Sequence, residues 1–106
     1  MTRAELQNTA PSDAVAKAVI GLAGQSADIT SHCHRPWASI TFSGYRHTLR
    51  ISFSVPEECD SFVANLPEAE LDVGNGWLIA DATAMSVSRL ASPNPCVVEI
   101  EVLVIQ

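Results

Sequence analysis

Basic side chains are scarce and scattered. Six Lys/Arg stand against twelve Asp/Glu, a formal net charge of −6, and four of the six are arginines spread between Arg3 and Arg50. Sequence-independent nucleic-acid binding rests on phosphate neutralisation by Lys and Arg, so nucleic acid is not an expected partner. An anionic membrane surface is disfavoured on the same ground. No apolar run is long enough to span a bilayer, and the opening stretch MTRAELQNTAPSDA holds no apolar core of signal-peptide length. Cys-x-x-Cys pairs are missing as well: Cys33, Cys59 and Cys96 are odd in number and far apart. That spacing points to free thiols in a reducing cytoplasm rather than to a disulfide framework. No Ser-His-Asp or Cys-His set can be placed by spacing, and nothing calls for a cofactor.

What is present suits one folded domain. The charged share of 17% is below the globular norm of about 25%, while 47% of the residues are hydrophobic. At 106 residues the chain can bury one core and is too short for two. Residues 1–11 carry no period and read as a partly ordered arm, leaving 12–106 as a single domain. Ser12 is a good N-cap, Asp13 suits the first turn, and Val15, Ala18, Val19 and Leu22 follow at helical spacing until Gly24. A helix over 13–23 results.

Residues 37–43 and 46–55 both alternate, with Gly44-Tyr45 between them as a type II′ hairpin signal. That turn would pair Phe42 with His47, Ile40 with Leu49 and Ala38 with Ile51, so the apolar sides coincide. Pro56 followed by Glu57 and Glu58 opens a second helix, with Cys59, Phe62, Val63 and Leu66 as its buried stripe and Pro67 as its end. Residues 71–73 could add a short strand before the Gly74-Asn75-Gly76 turn. Residues 77–90 are expected as one strand, bulged near Asp81-Ala82, then a turn at 92–95 and a β-branched strand over 96–105.

The order is α-β-β-α-β-β, one unit written twice in structure though not in sequence. It implies an α+β two-layer sandwich, with both helices on one face of a four-stranded antiparallel sheet. In architecture this resembles a circular permutation of the ferredoxin-like arrangement, a resemblance that carries no function with it.

The stretch SHCHRPWASITFSGYRHTLRISF gathers three histidines and a cysteine. The expected hairpin would set His34 near Val55, about 25 Å from His47 at about 3.3 Å per residue. One ion could not then bind all three, and no metal site is expected. His32 and His34 beside Glu57, Glu58 or Cys59 form a weak donor set. His47 reads most simply as a half-buried histidine, and more sharply as a general base in a small-molecule pocket with Tyr45, Arg46 and Arg50.

The sheet face away from the helices is more informative. Trp37, Ser39, Thr41, Thr48 and Arg50 are expected there with Val97, Glu99, Glu101, Leu103 and Ile105. An uncovered face mixing large apolar groups with opposite charges marks a partner surface. The sequence therefore points to a homodimeric binding or assembly module. A small enzyme or small-molecule binder at the Tyr45–His47 pocket is the alternative.

Overall fold

The computed structural model describes residues 10–89 and 96–106. Most of the expected arm and the turn expected at 92–95 fall outside these residues. Helix α1 (Ser12–Ala23) leads into strands β1 (Ala27–Ala38) and β2 (Ser43–Phe53). Helix α2 (Pro56–Asn65) and a single 3-10 turn (Leu66–Glu68) follow, then strands β3 (Leu78–Arg89) and β4 (Cys96–Ile105). The strands form one antiparallel sheet in the order β1-β2-β4-β3. The chain is thus the expected α+β sandwich in α-β-β-α-β-β order.

Each element follows from a local cause. In α1, Val15, Val19 and Ala23 recur at helical spacing and are buried. The helix stops at Gly24, whose φ of 104° lies where side-chained residues rarely go. Pro56 opens α2 with Glu57 and Glu58 in its first turn, where backbone N–H groups favour negative charge. Glu58 also accepts hydrogen bonds from the Ser26 amide (3.1 Å) and hydroxyl (2.7 Å), tying α2 to the bend before β1. Strand β4 turns Cys96, Val98, Ile100, Val102 and Val104 toward the helices, all at zero exposure. Leu49, Ile51 and Phe53 of β2 join them, and Val15, Val19, Phe62 and Leu66 close the core from above. The molecule measures 46 × 29 × 19 Å. One helix about 10 Å across laid on one sheet accounts for the short dimension.

Four expectations are corrected. The hairpin does not turn at Gly44-Tyr45; residues 39–42 form the loop, with Ala38 paired to Ser43 and Trp37 to Gly44. Ser39 N–H donates to the Phe42 carbonyl at 2.8 Å and Phe42 N–H to Ser39 Oγ at 3.1 Å, which closes the loop locally. Gly44 serves the sheet instead: a Cβ there would lie 1.9 Å from the Val104 carbonyl oxygen. Ser12 is the first residue of α1 and not its cap, because Pro11 holds that place without a side-chain bond. The segment at 71–73 is irregular, and it contributes Val73 and Leu71 to the core without pairing.

The fourth concerns the thiols. Cys59 and Cys96 form a disulfide, both at zero exposure, and Cys33 alone is free and exposed. Cys59 lies on the buried stripe of α2 and Cys96 opens β4 beneath it. Their separation of 37 residues hid this from any spacing rule.

Candidate functional site

The shifted hairpin moves the histidines. Strand β1 now begins at Ala27, and its register pairs His34 with His47 and His32 with Leu49. The expected 25 Å separation is thereby overturned, and all three imidazoles gather on the helix-covered side. His32 Nε2 and His47 Nδ1 are 2.9 Å apart, sharing one N–H. The His34 ring lies 5.4 Å from that of His47, centre to centre, and 5.5 Å from that of Tyr45, which sits 5.9 Å from Trp77. Ser12 Oγ, at the start of α1, is 3.3 Å from His34 Nδ1.

These nitrogens do not converge on one point. His32 points at His47, and His34 points at Ser12. Among the described residues no three His, Cys, Asp or Glu groups could hold a metal ion. The weaker donor set does not assemble either, since Glu58 is turned to Ser26 and Cys59 is bonded to Cys96.

Burial disfavours the charged form of two of these histidines. Burial, followed by the nearby His32 and His34, pushes His47 down to about 4. Burial and then His34 lower His32, against an opposing pull from Asp13. His47 is fully buried, and its Nε2 has no hydrogen-bond partner among the described residues. A general base works best with its pKa near the operating pH, so an imidazole held near 4 is poorly suited to proton abstraction at neutrality. The arrangement packs His47 as a buried imidazole whose charged form is disfavoured, with the half-buried His32 against it and His34 exposed at the edge.

The four residues expected around one pocket are divided by the sheet. Tyr45 and His47 stand with the helices, whereas Arg46 and Arg50 point to the other side as partners of Glu101 and Glu99. Tyr45 does line a cleft of about 380 Å³ at the sheet end, with Pro36, Trp37, Gly44, Trp77 and Gln106.

On the open face the register lays out four rows, read across β1-β2-β4-β3. They are Trp37–Gly44–Ile105–Leu78, Arg35–Arg46–Leu103–Asp81, Cys33–Thr48–Glu101–Thr83 and Ser31–Arg50–Glu99–Ser86. Val97 lies one row further, and Ser39 and Thr41 lie in the loop beyond the sheet end. Arg46 Nη1 meets Glu101 Oε1 at 2.6 Å, and Arg50 meets Glu99 at 3.7 Å. At the Trp37 end, Leu78 is 64% exposed, Ile40 in the loop is fully exposed, and Phe42 is 51% exposed.

Sequence reasoning missed Arg35, Asp81 and Leu78 on this face, Ser12 beside His34, and Trp77 beside Tyr45. Alternation of Ser31, Cys33, Arg35 and Trp37 against His32 and His34 was the signal, legible once that stretch is taken as a strand. No helix among the described residues is long and apolar enough to cross a membrane. Compared with protein-family models, curated proteins and solved structures, the chain finds no match.

Proposed function

We propose that this chain is a small non-enzymatic binding and assembly module that self-associates through its open sheet face. One observation carries the reading: both helices pack on the same side, so the side bearing Trp37, Leu103 and Ile105 has no cover among the described residues. Such apolar surface rimmed by charge is what interfaces expose. Four strands about 4.8 Å apart and about ten residues long give roughly 650 Å² per partner, or roughly 1,300 Å² in a dimer. Specific interfaces begin near 1,200 Å².

The strand order β1-β2-β4-β3 agrees with a permuted ferredoxin-like sandwich. A cytoplasmic setting belongs to this reading, in which the exposed thiol of Cys33 stays reduced and the Cys59–Cys96 disulfide survives because both sulfurs are sealed in the core.

Sedimentation velocity at tens of micromolar tests this. The native chain is expected as a dimer, and Trp37→Ala, removing a large aromatic anchor, weakens association at least tenfold. A monomeric native chain, with Trp37→Ala indistinguishable from it, refutes the proposal.

The cleft of about 380 Å³ lined by Trp37, Tyr45 and Trp77 favours a second reading, a binder of a small planar molecule. Indole titrated into ¹⁵N-labelled protein would shift the amides of Gly44, Tyr45 and Trp77. Unmoved amides at millimolar indole would remove this reading.

A further inference from the structure

The open face is divided by charge along its midline. On β1 and β2 it carries Arg35, Arg46 and Arg50; on β4 and β3 it carries Glu99, Glu101 and Asp81. Asp28, paired with Ser52 at the far end from Trp37, is the one acid on the basic half. A sheet can stack on a copy of itself about two kinds of in-plane two-fold axis. With the axis across the strands, β2 lies over the partner's β2, and arginine faces arginine. With the axis along the strands, between β2 and β4, each row lies over the same row reversed. Then Arg50 faces Glu99 of the second copy, Arg35 faces Asp81, and Trp37 faces Leu78. Like charges face each other in the first arrangement and opposite charges in the second.

Resting on the assembly reading above, we propose that the face is self-complementary and pairs with a second copy of this chain about a two-fold axis parallel to the strands, between β2 and β4. The within-chain pairs Arg46–Glu101 and Arg50–Glu99 flank that axis and become the centre of a four-chain-segment charge network. Cys33 and Thr83 share a row on opposite outer strands, three strand spacings or about 14 Å apart within one chain. In the dimer they face each other across the interface.

That juxtaposition supplies the test. Sedimentation first establishes the dimer; a monomer sinks the assembly reading itself. A short bis-maleimide is then added to three dimeric proteins: the native chain, Thr83→Cys, and Thr83→Cys combined with Cys33→Ser. A covalent dimer is expected from Thr83→Cys only, because the pair of thiols is out of reach within a chain and neither thiol meets its own copy. Cross-linking of the native chain through Cys33 to its copy, or none with Thr83→Cys, overturns the axis while leaving the dimer standing.

A second measurement is independent of the added thiol. Arg50→Glu and Glu99→Arg, both on exposed side chains, should each weaken self-association at least tenfold at low salt, and an equimolar mixture should restore it. Unchanged association of either single variant overturns the charge pairing.

Discussion

Acid should destabilise the fold through His47, and the structure sets the size of the effect. An unfolded chain takes up a proton at this histidine near pH 6.5, whereas the folded chain resists until about pH 4. The unfolded state therefore binds more protons between those values, so folding stability is complete above pH 6.5 and drains away as pH falls. At 1.36 kcal/mol per unit of pH, the loss by pH 4 is about 3 kcal/mol, a large part of the 5–15 kcal/mol of a typical domain. His32, also lowered, acts in the same direction. The perturbation is His47→Leu, which places an apolar side chain of similar volume among Leu49, Val102 and the covering helix. Urea unfolding at intervals from pH 7.5 to pH 4 would be compared for the two proteins. Groups remote from the cluster contribute to both curves and cancel in the difference, whereas His32 and His34, in contact with His47, are part of the effect being measured. The variant should match the native chain within about 1 kcal/mol at pH 7.5 and exceed it by about 2–3 kcal/mol near pH 4. Parallel curves across that range would refute the argument that His47 is held uncharged by burial.

Gly44→Ala should cost about 2–3 kcal/mol in the same assay, since its Cβ would strike the Val104 carbonyl and force β2 from β4; tolerance within 0.5 kcal/mol would contradict the pairing. Denatured protein without reductant should expose one reactive thiol, Cys33, and reduction should add Cys59 and Cys96. For a separation of 37 residues, loop-closure entropy puts the accompanying stability loss at about 4 kcal/mol. Three thiols before reduction would deny the bond.

Much of the fold was legible because buried strands and helices print strong periods. The stripe Val15–Val19 and the alternation of Leu49, Ile51 and Phe53 named their inward faces, and the same faces are buried here. The hairpin was misplaced because Ile40 and Phe42 look like strand residues, although they occupy an exposed loop. Strand β1 was hidden for the opposite reason. As an outer strand it is only half covered, so residues 31–36 carry His, Cys, Arg and Ser where a central strand carries Val or Ile. A shift of that one turn decided whether the histidines lay far apart or in contact. The disulfide escaped for a different reason, since pairing between α2 and β4 depends on tertiary placement alone.

The outer strands of the sheet set a limit on how this molecule can grow. Both are twelve residues long and, among the described residues, each has a strand neighbour on one side only. Yet β1 slips register between Ile29 and Ser31 and contains Pro36, which has no amide hydrogen to donate. Its counterpart β3 slips twice, around Ala80 and Met85. Interrupted margins of this kind make poor templates for strand-by-strand polymerisation. Under the proposed pairing, contact falls on the broad surface rather than the rim, so that stacking two molecules would use up the site and growth would end at a pair.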